Sequence, residues 1–403
     1  MTLVTNLEIT MDQFLEESGF RSPSAIKRVK AALTCSGYAI PRQLLLTSKR
    51  DLEDIDGISD TSAKILFKQL IRLKGGNLLS ADKIRQEYNY LETNIHHLNQ
   101  ELSNGYMMPS TEAAGIRSGS VIELVGPPAI GKSKFCQSLA LQMMKFKKDG
   151  GWNKQVIYFT SSYEPILPNI VAMNEYHQLN GSQIDKNLIG CYASSLDELY
   201  ANLKSIPDPS KVGLIIIDNL SEIIANNYSS SHQIMGYAAD HYSSRGYRDQ
   251  VLHDIFNLLK QQGHYFGTVS IAVNRLERDH ESRFMGSENY IPKLEYSIRY
   301  HCHIAFHMSK ANMNEYREME GRYRDLPDRR KLDREHLGHP IRITCMKSNL
   351  HSKFRVFGLV TKYGVLGAPE YVVMLSGNGK KQTNSSTQII KREKDIKQKN
   401  TTN

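Results

Sequence analysis

Short apolar runs alternate with segments of helical period over most of the chain. Val121–Val125, Val156–Phe159, Ile189–Ala193, Gly213–Ile217, Val269–Val273, Ile304–Met308, Ile341–Met346 and Phe354–Val360 are brief and mostly aliphatic or β-branched, which predicts strands. Between them the spacing changes. Phe135, Cys136, Leu139, Ala140 and Met143 fall on one face of a helix, and Leu252, Ile255, Phe256 and Leu259 share a face over 249–262, with Gly263 expected to stop that helix. Ser195 and Glu198 have the spacing of a capping box. Strands alternating with helices predict an α/β fold with a mainly parallel sheet flanked by helices.

The pattern divides the chain. Residues 1–75 carry helical spacing without strand runs and read as a small all-α domain; 76–110 read as a linker with a helix leading into the sheet; 111–376 hold the α/β core; 377–403 are expected to be a disordered basic tail. Two stretches inside the core, 226–248 and 313–338, lack a sustained period and read as surface insertions.

Composition narrows the class. The chain has 403 residues, 40% hydrophobic and 23% charged, which excludes a wholly disordered or collagen-like polymer. No apolar run approaches the roughly 18–20 residues of a membrane helix, and Met1–Phe20 lacks a signal-peptide pattern, so no membrane partner is expected. Cys35, Cys136, Cys191, Cys302 and Cys345 form no CxxC and are odd in number, arguing for a reducing compartment. The net charge of +9 suggests an acidic partner. From Gly377 onward seven bases and two acids give +5, leaving +4 for the other 376 residues. The tail reads as a solvated end, a nuclear import signal or a nucleic-acid arm.

One motif carries chemistry directly. The strand Val121–Val125 runs into Gly126, Pro127, Pro128, Ala129, Ile130, Gly131, Lys132 and Ser133, and a helix follows. Strand, GxxxxGK[ST] and helix together make a phosphate-binding P-loop: backbone N–H groups wrap the anion and the helix N-terminus adds positive potential. These eight residues are expected to bind ATP, with Lys132 reaching the β- and γ-phosphates and Ser133 ligating Mg²⁺. Asp218 leaves the C-terminal end of an apolar strand, where ligands of such sheets bind, and is expected to hold Mg²⁺ through water.

Further segments resemble the RecA/RadA-type recombinase family, in its eukaryotic and archaeal branch. Ser48–Ser59, continued by Ala63, Ile65 and Leu66, resembles the family's N-terminal helix-hairpin-helix; Gly115–Leu124 resembles the start of its core; 269–273 followed by Asn274 resembles its sensor strand; Val356–Gly367 resembles its closing hairpin. The resemblance implies a RecA-like P-loop NTPase core, ATP and Mg²⁺ as cofactors, and Asn274 near the nucleotide. At the hairpin, Gly57, Ile58 and Ser59 read either as a clamp for DNA phosphates or as a plain structural turn. In the linker, Leu78 and Ala81 fit loosely the segment by which such proteins add a strand to a neighbour.

The chain also departs from the family. Ser162 falls where active recombinases carry the glutamate that activates water, and a hydroxyl has no useful basicity near neutral pH. Glu164, two residues on, is the catalytic candidate left. Arg275 replaces a glutamine after Asn274, and about 276–300 and 309–340 do not match the family's DNA-binding loops. There Tyr290, Lys293, Tyr296, Arg299 and Tyr300 read as stacking groups interleaved with charge or as ordinary surface and core residues.

These departures resemble a recombinase paralogue, most like the kind that keeps the N-terminal helix-hairpin-helix domain. The resemblance implies an ATP-binding accessory or mediator in homologous recombination and double-strand break repair, in the nucleus and in meiosis, with at most weak DNA-stimulated hydrolysis. Its implied partners are single-stranded DNA, double-stranded DNA as a further ligand, a RecA-family recombinase, and another paralogue as heterodimer partner. Alternative readings are an active strand-exchange ATPase, a scaffold that uses nucleotide for assembly, and a P-loop ATPase unconnected to DNA.

Overall fold

A computed structural model describes residues 9–74, 88–104, 115–162, 166–225, 240–278, 290–292, 297–312, 314–315, 339–349 and 351–367. Glu164, the linker residues Leu78 and Ala81, most of the 276–300 and 309–340 loops, and the tail lie outside these residues.

The N-terminal part is helical: α1 (Met11–Ser18), α2 (Pro23–Cys35), a 3₁₀ turn over Pro41–Leu46, α3 (Lys49–Glu53) and α4 (Asp60–Lys74). Phe14, Leu15, Leu33, Leu44, Leu52, Leu66 and Leu70 close its own core. Ser48 caps α3 through Asp51, and Gly57, at φ +88°, turns the chain into α4. The part rests on the core: Lys204 meets Asp51 at 2.5 Å, Arg42 donates to Ser210 Oγ at 3.1 Å, and Leu45 packs with Phe266.

The core strands are β1 (Tyr90–Leu91), β2 (Ile116–Arg117), β3 (Val121–Gly126), β4 (Gln155–Thr160), β5 (Leu188–Tyr192), β6 (Val212–Asp218), β7 (Val269–Arg278), β8 (Tyr290–Pro292), β9 (Ile304–Lys310), β10 (His339–Ser348), β11 (Arg355–Thr361) and β12 (Gly364–Leu366). The large sheet has the order β12-β11-β10-β9-β3-β7-β6-β4-β5, while β1 and β2 pair separately. Along the order from β5 to β9 each pairing is parallel, while β8, off that path, pairs antiparallel with β7; β10, β11 and β12 extend the sheet antiparallel, and β11 and β12 form a hairpin. This is an α/β core of RecA type.

Helices cover both faces: α5 (His96–Asn104), α6 (Lys132–Met144), α7 (Ile166–His177), α8 (Gly181–Asn187), α9 (Leu196–Lys204), α10 (Asp240–Phe266) and α11 (Ser297–His301). The pleat of β6 shows why the sheet needs both layers. Leu214 and Ile216 pack with Leu139 and Met143 of α6, whereas Ile215 and Ile217 pack with Leu199 of α9 and Ile255 and Leu259 of α10. A strand apolar on both faces is stable only when both are covered.

Two expectations are corrected. The backbone from residue 240 is helical, so α10 begins nine residues before the apolar period does. A nucleated helix propagates cheaply through polar residues, and the Tyr247 hydroxyl ties this turn to Asp197 of α9 at 2.7 Å. Gly263 does not stop α10; the helix continues to Phe266 and Gly267 turns at φ +71°. Gly263 is instead a contact residue, because a Cβ on it would stand 2.7 Å from the Gly119 carbonyl.

Candidate functional site

The P-loop crosses from the C-terminal end of β3 to the N-terminus of α6. Two residues take left-handed backbone, Ala129 at φ +58° and Gly131 at φ +100°. Gly131 has a second reason to be glycine: a Cβ there would lie 2.7 Å from Val360 Cγ2 on β11. Phe135, Cys136, Leu139, Ala140 and Met143 bury α6 between the sheet and its neighbours. Its positive end is thereby fixed toward the loop, where it favours an anion.

Pro128, Ala129, Gly131, Lys132 and Ser133 line a cavity of about 680 Å³ together with Tyr158, Ser161, Ser162, Asp218, Glu222, Arg275 and His339. The Lys132 ammonium donates to the carbonyls of Gly126 at 2.7 Å and Pro127 at 2.8 Å. Burial pulls its pKa down to about 8, against the opposing pull of Asp218. A buried cation of this kind gains much from a phosphate beside it.

Asp218 leaves β6 at the cavity. Its Oδ2 accepts from the Tyr158 hydroxyl at 2.6 Å, and Ser133 also hydrogen-bonds it. Burial raises the Asp218 pKa, against the hydrogen bonds and Lys132, which lower it. Such a carboxylate is stabilised by an adjacent cation. The oxygen donors Ser133 and Asp218 suit Mg²⁺, which takes few protein ligands and keeps water and phosphate oxygens. No cluster of three or more His, Cys, Asp or Glu suited to a metal occurs among the described residues.

The other predicted residues fall elsewhere. Ile130 is 5% exposed and packs into the core beside α6. Asn274 is fully buried; its amide donates to Glu123 Oε1 at 2.9 Å, and its side-chain oxygen accepts from the Arg275 N–H. The expectation that Asn274 faces the nucleotide is therefore replaced: Arg275, the next residue, lines the cavity. At the hairpin, Gly57 and Ser59 are exposed but Ile58 is in the helical core. Exposed carboxylates of Asp54, Asp56 and Asp60 border this turn, with Lys64 and Lys68 further along α4. Of the possible stacking residues, Arg299 instead approaches buried Glu123 at 3.5 Å, while Tyr300 is 78% exposed.

Sequence reasoning passed over Tyr158 and Glu222. A tyrosine amid the aliphatic residues of β4 was the only available signal for the first. Glu222 gave none, because its place depends on the turn after β6.

No protein-family model matches the sequence. Curated relatives do. The DNA repair protein RAD51 of Mycosarcoma maydis is 24% identical over 226 residues, covering 55% of this chain and 62% of that protein. The DNA repair protein rhp51 of Schizosaccharomyces pombe is 24% identical over 230 residues, covering 55% and 58%. The DNA repair protein RAD51 homolog 1 of Arabidopsis thaliana is 21% identical over 226 residues, covering 55% and 62%. The chain is thus similar to recombinases of the RecA/RAD51 type over about 55% of its length. It spans about six tenths of the length of these relatives.

The cavity combines a full P-loop with Ser162 and Arg275 on its wall. Ser162 stands at the end of β4, where its N–H takes a 3.2 Å bond to Thr160 Oγ1. Arg275 stands within β7, 3.5 Å from Glu222. Members of the family suggest nucleotide binding with a divalent metal, and the residues lining this cavity fit that chemistry.

Proposed function

We propose that the chain is an ATP- and Mg²⁺-binding accessory subunit of homologous recombination and DNA repair, acting in the nucleus to assist a recombinase on single-stranded DNA. The observation that carries this reading is the contrast within one cavity: Lys132, Ser133 and Asp218 gather at the P-loop, while Ser162 occupies the strand end where a recombinase has its water-activating carboxylate. Binding is retained in this reading and fast turnover is not. The relatives' names, which describe DNA repair proteins, support the process.

The partner surface we assign is the outer edge of β5. Among the described residues β5 pairs only with β4. Beside that edge lies a mainly apolar groove lined by Ile166, Leu167, Leu188, Cys191 and Tyr192, and Leu167, Val171 and Ile189 are exposed. A sheet edge with apolar recesses accepts an extended strand, and its occupant in this reading is the linker of another recombinase-family subunit.

The test is a strand-exchange assay with a recombinase and its single-strand-binding competitor. Addition of this protein should raise the yield, and Lys132→Ala should remove the gain. Strand exchange by this protein alone at recombinase rates would replace the accessory reading with that of an active recombinase.

A further inference from the structure

The cavity holds a carboxylate outside the strand-end motifs. Residues 220–225 form a helical turn just after β6, and this turn brings Glu222 to the cavity wall shared by Lys132, Asp218 and Arg275. Its Oε2 accepts a 2.7 Å hydrogen bond from Ser161 Oγ. Ser161 is fixed in turn: its N–H donates to the Asp218 carbonyl at 3.1 Å, and its hydroxyl oxygen accepts from the Asn219 N–H at 3.3 Å. The other oxygen, Oε1, stands 3.5 Å from Arg275 Nη1. Glu222 also acts electrostatically on Lys132, favouring its charge, and on Asp218, disfavouring ionisation there. With 43% of its side chain exposed, it is open to water.

We infer that Glu222 is the catalytic base for slow hydrolysis of the bound triphosphate, taking from the turn after β6 the part that Ser162 cannot play just past β4. The inference rests on reading the cavity as an ATP site. In the step assigned to it, water forms a bond to the terminal phosphorus. The bond from that phosphorus to the bridging oxygen breaks, its electron pair leaving on the diphosphate. The proton lost by water passes to Glu222 and then to solvent, so that inorganic phosphate, ADP and a proton result. Ser161 and Arg275 set the orientation of the carboxylate. The Arg275 contact is long and half-exposed, so it restrains Glu222 loosely and leaves Oε1 accessible.

The experiment uses purified full-length protein. Single-turnover cleavage of terminally labelled ATP is measured with protein in excess, and affinity for a non-hydrolysable ATP analogue is measured separately. Glu222→Gln should lower the cleavage rate by about 100-fold, the scale of a lost general base, with analogue affinity kept within about threefold, a difference of about 0.65 kcal/mol. Adding Ser162→Glu to that variant should recover cleavage, because it restores a carboxylate at the neighbouring strand end. Wild-type cleavage in Glu222→Gln, parallel losses of rate and affinity, or a wild type that binds the analogue and never cleaves ATP each overturn the assignment. A wild type that fails to bind the analogue overturns the ATP reading itself, and the assignment with it.

Discussion

The Tyr158 hydroxyl donates to Asp218 Oδ2 across 2.6 Å, joining β4 to β6 at the mouth of the P-loop cavity. Tyr158 is 1% exposed, so its ring holds the hydroxyl in place while the bond favours the ionised Asp218. Tyr158→Phe keeps the packing and removes the bond, which is worth about 1 kcal/mol. The Mg²⁺-dependent part of ATP affinity should fall about fivefold. Titrations with and without Mg²⁺ check this, and the effect should grow as the pH is lowered, because the loss removes a bond that lowers the Asp218 pKa.

Lys132 predicts a proton signature. Its pKa, about 8, lies below the ordinary 10.5 because it is buried. Between those values the unfolded chain binds the extra proton, so nucleotide-free stability should rise with pH from about 8 toward 10.5. A bound polyphosphate favours the ammonium form, so ATP binding at pH 8.5 should take up protons. Calorimetry in buffers of different ionisation enthalpy measures the uptake, which Lys132→Met should abolish.

Gly263 and Gly119 meet backbone to backbone. Gly263→Ala places a methyl 2.7 Å from a carbonyl oxygen, in a place where neither main chain gives way easily. Overpacking of this kind costs about 1–3 kcal/mol. Urea denaturation should show that loss, while Gly246→Ala, which meets nothing within 4 Å, should leave stability unchanged or slightly improved.

Asp51 links the helical part to the core through Lys204. Burial works against the Asp51 carboxylate, but the Lys204 and Ser48 bonds outweigh it and its pKa is lowered. The contribution is present above the unfolded value, about 4, and is lost as pH falls through the lower folded value. Both side chains are partly exposed, so it amounts to about 0.5–1 kcal/mol. Lys204→Ala should speed proteolytic cutting between the helical part and the core at pH 7 and make progressively less difference as the pH falls below about 4.

The legible and illegible parts of the sequence differ in range. That Lys132, Ser133 and Asp218 share one cavity is legible because each follows a strand whose apolar run is local, and the phosphate loop has fixed spacing. The sheet was readable for the same reason. Asn274 was misplaced because its direction depends on Glu123, a buried acid 151 positions away in sequence. Glu222 was unreadable because it enters through the turn after β6 and through Ser161 at the end of another strand. The start of α10 lay beyond its apolar period, and Gly263 was read as a helix stop although its neighbour Gly119 explains it.

The most direct test of the central claim is labelled-ATP retention and turnover on the purified chain, with and without single-stranded DNA. One ATP bound per chain, lost in Lys132→Ala, with turnover far below that of a recombinase, is the predicted result. No retained nucleotide, or recombinase-rate turnover stimulated by single-stranded DNA, would contradict it.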